Sequence, residues 1–586
     1  MPSASIHLLH IHFPIILVTS NQAPNLSPAC HLNVEMWTLK SPHRFLTLAL
    51  FVLLAFATTA MTTASATKHT GLRVEQVGHP QRRLAATLAD APSLRLQFTL
   101  KRTSMNIYGQ SQFYVFANPV VSADNTSVLY DGYAAFMDGT TDYTFMLVDG
   151  IAYFVTSTAG DTSGSQSAQC LASSLLPPLN DIVSALNGAT AISSAAAGND
   201  TITCASGDLF KVTLGDADFV VCSSGSDGFT IYGSDLDISV EYLDSPVTIT
   251  APTLSDDAAV SCETVVTATS VSDTTLALLT GQTISSSSRR KLKAEATTTL
   301  SSSSCTCQST PRPCIFFHGL GSSTEQTTLQ TKSSYFGDIS KSAPCCSSIK
   351  YAILNTVDNA WTDATLQQKV CNFAISVSST SSVSSKTIAD TIIVTHSMGG
   401  LMMAGALANG RCKVASSTTW VSLSAPMAGS MGADYLENAC SGNNVFLQAV
   451  ANLVGQCPAN NAVAALAYQN EARSTSALNA AYVAAQSAFR SNVDAAMCSD
   501  NYSGLLSTDQ AVYKLAGSVI PHKSKQNDGV VEYQSCAGGL STSKFGNTYD
   551  DTFYLTGLNH ADTAFRHGDA LVVNSQKPVK WFECLL

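Results

Sequence analysis

The run Ile392-Ile393-Val394-Thr395-His396-Ser397-Met398-Gly399-Gly400 restricts the fold of this chain more than any other stretch of it. Residues 392–394 are a short apolar, β-branched strand, and a helical pattern begins at Gly400 and runs to Asn409. The chain must therefore turn sharply at Ser397. A turn this tight holds its central residue in a strained backbone conformation and needs small neighbours, because a Cβ beside it would strike the adjoining strand or helix. Gly399 and Gly400 meet that need on one side, whereas Thr395 on the other is large enough that crowding is expected.

The same alternation continues through the carboxyl-terminal half. Strand candidates are 314–317, 350–354, 391–394, 419–423, 512–516 and 553–555, with helical patterns near 362–376, 400–409 and 562–567. Strands separated by helices imply βαβ units and a mainly parallel sheet. Residues 431–507 are too long for a connection and are rich in Ala and Asn, which reads as a cap or lid inserted over the carboxyl edge of that sheet.

A chain of 586 residues is too long for one ordinary core, and its first half is built differently. Alternating runs at 94–100, 112–116, 143–148, 152–156, 209–214 and 229–232 are punctuated by Asp131-Gly132, Asp138-Gly139 and Asp149-Gly150, and only 171–186 looks helical. That predicts a β-rich antiparallel domain over 67–262. A Ser/Thr-rich linker over 263–304 carries the dibasic Arg289-Arg290, a candidate processing site, and a catalytic domain is expected over 305–586. At the start, the apolar run 45–57 is preceded by Lys40 and Arg44 and followed by Ala64-Ser65-Ala66. It is shorter than a spanning helix, so residues 36–66 read as a secretory signal cleaved near Ala66, with 1–35 an extension of the gene model or a disordered segment, and no transmembrane anchor in the mature form.

Cysteine usage agrees with export. Of 17 cysteines, Cys30 precedes the signal and the rest are even in number, which suits disulfides. Cys305-Thr306-Cys307 and Cys345-Cys346 are spaced too closely for the usual zinc-ligand pairs. Sequons stand at Asn125, Asn199 and Asn501. The net charge of -11 comes from only 12% charged residues with no long block of either sign, which disfavours nucleic acid as a partner.

A serine is a poor nucleophile by itself; it needs a base within hydrogen-bond reach, an acid to orient that base, and donors for the oxyanion. The sequence offers all of them. The strand at 314–317 runs straight into His318-Gly319-Leu320-Gly321, and the amides of Leu320 and Met398 are the expected oxyanion donors, with His318, Gly319, His396 and Gly399 supporting the two loops. Asn527-Asp528-Gly529-Val530-Val531 supplies Asp528 as the acid, with Asp550, Asp551 and Asp434 as competitors. His560, directly after the strand at 553–555, is the expected base; His567 is the alternative, and His522, which precedes Asp528, departs from the order serine, acid, histidine that the resemblance described below implies.

Together His-Gly-Leu-Gly, His-Ser-Met-Gly-Gly, Asn-Asp-Gly-Val-Val and Asn-His-Ala-Asp, in this order, resemble the lipase branch of the α/β-hydrolase superfamily, whose nucleophile lies on a strand-to-helix elbow. The resemblance begins near Cys314 and covers under half of the chain; Thr395 departs from the family's usual glycine. It implies acyl transfer through a serine ester with no metal or organic cofactor. The expected substrate is a lipid or small ester, met in solution or at a lipid surface. Esterases, thioesterases and acyltransferases share the motif, and a secreted binding or adhesion protein with an inactive hydrolase domain is the reading from another class. No family is recognised in the amino-terminal domain, and the oligomeric state is left open.

Overall fold

Alternating burial drives the first half. In strand Ser93–Leu100 the side chains of Leu94, Leu96, Phe98 and Leu100 are buried, and the residues between them are half-buried. Repeated strand by strand, this pattern builds a 12-stranded antiparallel sheet. Strand Ser93–Leu100 lies at its centre between Gln112–Val121 and Leu236–Leu243. Short helices Ile182–Asn187 and Asp273–Leu279 pack on the apolar face through Val183, Leu186, Leu278 and Leu279. The computed structural model describes residues 87–158, 166–171, 181–198, 200–204, 208–254, 262–284, 297–439, 459–507 and 509–586. The signal and extension, Asn199, Cys440, Cys457 and Arg289-Arg290 lie outside these.

Two expectations for this half need correction. Asp131-Gly132 is not a turn but lies inside strand Ser127–Asp138, where a Cβ on Gly132 would come within 3.0 Å of the Phe116 carbonyl of the neighbouring strand. Here the glycine serves close strand approach. The segment 171–186 is not one helix: Gln166–Leu171 is a strand, and the helix begins at Ile182.

The second half holds a seven-stranded parallel sheet in the order Cys346–Ala352, Arg312–Phe317, Ile392–His396, Thr419–Leu423, Ala495–Ser499, Phe553–Thr556, Phe545–Gly546. Its central strands are buried on both faces, as the continuous apolar runs require. Helices Ala364–Ser376, Met398–Ala408 and Ser476–Asn492 cover one face through a shared core that includes Val370, Met402 and Phe489.

The structure departs from the expected element map at two places. Residues 512–516 belong to helix Gln510–Val519, and the missing strand is Ala495–Ser499, inside the segment expected to be a cap. That strand reads Ala-Ala-Met-Cys-Ser, a short apolar run without β-branched residues, which pattern alone does not separate from helix. Helix Ser476–Asn492 from the same segment flanks the sheet, with Phe489 edge-on to Trp420 at 5.5 Å. Of the residues expected to form a cap, 440–458 lie outside those described.

Both sheets fall within one compact unit, and the contact between them combines buried charges with Leu571 and Val572, which lie in the core of the antiparallel half. Asp235 of the antiparallel sheet accepts from Lys577 and Lys580 at 2.7 Å each, and Arg102 pairs with Glu583 at 2.6 Å. Burial pushes the Asp235 carboxyl up, but the two ammonium groups beside it outweigh that and hold it below its ordinary value. Seven disulfides close among the described residues: Cys170–Cys262, Cys204–Cys222, Cys305–Cys584, Cys307–Cys345, Cys314–Cys346, Cys371–Cys412 and Cys498–Cys536. Such density fits an oxidising compartment. Among the described residues no helix is long and apolar enough to cross a membrane.

Candidate active site

Strand Ile392–His396 ends and helix Met398–Ala408 begins with Ser397 alone between them, at φ 55° and ψ -131°. A non-glycine residue rarely adopts this conformation, and here the surroundings enforce it. The Ser397 amide donates to the Leu423 carbonyl at 2.9 Å. A Cβ on Gly399 would meet the Phe317 and His318 carbonyls at 2.7 and 2.9 Å, and one on Gly400 would meet Ala425 at 2.4 Å. Both positions therefore have to be glycine. Thr395 is not crowded: its buried Oγ1 accepts from the Trp420 indole at 3.0 Å, so the extra atoms satisfy a donor that glycine would leave unpaired.

His560 follows strand Phe553–Thr556 on the loop that crosses to Ser397. Its Nε2 lies 2.9 Å from Ser397 Oγ and its Nδ1 lies 2.6 Å from Asp528 Oδ2. The two residues also share a backbone bond, His560 N–H to the Asp528 carbonyl at 2.9 Å. With Asp528 as the acceptor, Nδ1 carries the proton and Nε2 is left to accept from the serine hydroxyl. The other carboxylate oxygen, Oδ1, accepts the amides of Val530 and Val531 at 3.1 and 2.7 Å, so a buried charge is tied to the turn that presents it. That turn follows helix Gln510–Val519 rather than the strand expected before it.

The competing residues stand elsewhere. His567 bonds Asp562 at 2.7 Å, His522 bonds Glu532 at 2.7 Å, Asp434 accepts the Tyr468 amide, and Asp551 accepts from Thr548. Asp550 is exposed.

The His318–Gly321 loop lies directly against the serine. A Cβ on Gly319 would come within 2.5 Å of Ser397 Cβ and 2.9 Å of its Oγ. His318 pins this loop: Nδ1–H donates to the Gly319 carbonyl at 2.8 Å and Nε2 accepts the Leu354 amide at 3.0 Å. Thr356 donates to the same carbonyl at 2.8 Å. A trans peptide then points the Leu320 N–H the opposite way from that doubly held oxygen. The Met398 N–H, first in its helix, has no intrahelical acceptor. Burial lowers the His318 pKa, which keeps the ring neutral and able to accept.

Sequence reasoning missed Tyr335, which no motif marks. Its hydroxyl donates to His396 Nδ1 at 2.7 Å, and a Cβ on Gly319 would lie 2.6 Å from it, so it borders Ser397 on the loop side. Burial raises its pKa to about 12, so it stays a neutral donor. His396 in turn donates from Nε2 to the His560 carbonyl at 3.0 Å. Burial, reinforced by the neighbouring His560, drives the pKa of His396 well below its ordinary value. Tyr335 and His396 thus buttress the His560 loop from behind.

No family model matches the chain, and no curated protein sequence matches it. Among solved structures it is similar to phospholipase PlaB from Legionella pneumophila in complex with thio-NAD, at 13% identity over 39% of this chain and 44% of that one, with a TM-score of 0.24. It is also similar to lipase 1 from Pelosinus fermentans, at 13% identity over 47% of this chain and 97% of that one, with a TM-score of 0.26. The chain spans less than half the length of the first. The chemistry of the site rests on its own geometry.

Proposed function

We propose that this chain is a secreted serine ester hydrolase of the α/β-hydrolase type, acting on lipid esters. The observation that carries the reading is the unbroken hydrogen-bonded series from Ser397 Oγ through His560 to Asp528, beside a loop whose glycine touches the serine. His560 takes the serine proton as Oγ attacks the ester carbonyl, and Asp528 stabilises the imidazolium that forms. The amides of Leu320 and Met398 receive the negative charge on the carbonyl oxygen. His560 then protonates the departing alcohol, and water, activated by the same ring, releases the acid and restores the serine. This sequence calls on no cofactor.

Labelling with a fluorophosphonate tests it: the wild type reacts at one residue and Ser397→Ala does not. A wild type that stays unlabelled while hydrolysing esters would remove Ser397 from the role. The lipid part of the proposal is supported by half-buried Leu320 beside the site and the long insertion between the fourth and fifth strands of the parallel sheet. A rate that jumps when a long-chain triacylglycerol forms an interface separates a lipase from an esterase, which saturates with soluble short esters.

A further inference from the structure

Among the described residues, the side chains on the apolar face of the antiparallel sheet leave part of it unfilled. A cavity of about 240 Å³ lies there, walled by aliphatic and aromatic residues such as Leu96, Phe113, Ala134, Phe136 and Leu186. Protein interiors are close-packed, and apolar voids of this size stay dry and take apolar guests. One wall residue does not fit a plain hydrophobic core. The Tyr130 hydroxyl is buried without a hydrogen-bond partner among the described residues.

The cavity opens towards the other half of the molecule. Ile107, Leu506 and Leu571 line both this cavity and a second one of about 720 Å³, which is walled by Asn106, Ser507, Arg566 and other polar residues. Leu506, at the junction, is 37% exposed. In the second cavity Asn106 Oδ1 and Ser507 Oγ are also buried and unpartnered among the described residues. An orphaned polar atom costs about 1–3 kcal/mol, so the two in the polar cavity mark places where a ligand's polar atoms would bond.

We propose that the connected cavities bind a single-chain lipid with a neutral, hydroxylated head, such as a monoacylglycerol. The acyl chain lies in the apolar cavity, and the head lies in the polar one. The chemistry of the orphans selects the head. Asn106 Oδ1 accepts only, so its partner must carry a hydrogen; a glycerol hydroxyl supplies one and a fatty-acid carboxylate does not. Tyr130, paired with Pro119 beyond the Leu94 end of the central strand, lies at the far end of the apolar cavity from Ile107 and takes no part in holding the head. The proposal does not depend on Ser397, because binding here needs no turnover.

Titration calorimetry of the full chain with 1-O-dodecylglycerol, an ether that the proposed esterase cannot cleave, tests the site below the aggregation concentration of the lipid. The expected result is saturable 1:1 binding by both wild type and Ser397→Ala, at least tenfold tighter than dodecanoate. Ala134→Phe, which fills the apolar wall, should abolish it. Ser507→Ala, which removes one neutral hydrogen bond to the head, should weaken it by about three- to tenfold. Leu506→Gln at the mouth should also weaken it, and supplies the test if Ala134→Phe does not fold. Absence of saturable binding, unchanged affinity in both Ser507→Ala and Leu506→Gln, or equal affinity for dodecanoate overturns the proposal. Loss of fluorophosphonate labelling with lipid binding intact would instead remove the hydrolase reading alone.

Discussion

Gly319→Ala is the most demanding perturbation of the proposed site, because the loop and the serine leave no room for a methyl group. The new carbon would sit 2.5 Å from Ser397 Cβ, 2.6 Å from Tyr335 Oη and 2.9 Å from Ser397 Oγ. Non-bonded carbon contacts prefer about 3.5–4.0 Å, so the loop or the serine must yield by roughly 1 Å. The serine is the less mobile side, since Gly399 and Gly400 are wedged against the Phe317 carbonyl and Ala425. The loop would move instead and carry the Leu320 amide with it. A misplacement of about 1 Å at a reacting centre costs on the order of 10²-fold, and loss of one oxyanion donor costs about 10²–10³-fold. The expected outcome is a fall of about 10²-fold or more in kcat/KM for a soluble short-chain p-nitrophenyl ester, with fluorophosphonate labelling slowed in parallel. Gly410→Ala is the control: φ there is +61° with nothing within 4 Å of the added carbon, so it meets backbone strain of about 1–2 kcal/mol and no clash near the site. A Gly319→Ala enzyme within threefold of wild type, with Gly410→Ala behaving as expected, would refute the idea that this loop serves the reaction.

Asp528→Asn keeps the shape but lets the side-chain amide favour the wrong His560 tautomer; kcat should fall by about 10⁴-fold while melting temperature moves little, and steady-state kinetics read the difference. His560→Ala should abolish ester hydrolysis and His567→Ala should not, so full activity in His560→Ala would transfer the role. Asp235→Asn strands two buried ammonium groups and should cost about 3–5 kcal/mol in urea unfolding, whereas a change under 1 kcal/mol would mean that the cluster is solvated. His318 and His396 are held neutral by burial, with folded-state pKa values below the unfolded 6.5. The unfolded chain therefore binds more protons in acid: their contribution is full above about pH 6.5 and is lost as pH falls below it, by up to ~1.4 kcal/mol per pH unit for each ring. His396→Gln should flatten the dependence of unfolding free energy on pH between 6.5 and 5.

The proposed site was legible in the sequence because each part is local. A strand followed by His-Gly, a strand-to-helix turn with two glycines, and a histidine after a strand are short patterns whose backbone needs are written in neighbouring residues. The environment of Asp528 was harder to read, since the element before it is a helix and the strand that completes the sheet is the Ala-rich 495–499. Tyr335 could not be found at all: its hydroxyl reaches His396 across 61 positions of chain, and nothing near it in sequence records that contact. In the antiparallel half the Asp131-Gly132 pair misled because an Asp-Gly dipeptide signals a turn only when no neighbouring strand needs the missing Cβ. Gly132 is set by the Phe116 carbonyl beside it.

The disulfides carry a topological consequence. Every described bridge closes on one side of the segment 285–296 or on the other, and Cys305–Cys584 staples the two ends of the second half to each other rather than to the first. If a protease cut within that segment, the described bridges would not join the fragments. They would travel together through non-covalent contacts, among them the buried charges around Asp235 and Arg102, Leu571 and Val572 in the core of the antiparallel half, and the pairing of strand Thr298–Leu300 with Ala195–Ala197. By its described bridges the chain is a pair of separately sewn pieces on either side of that segment.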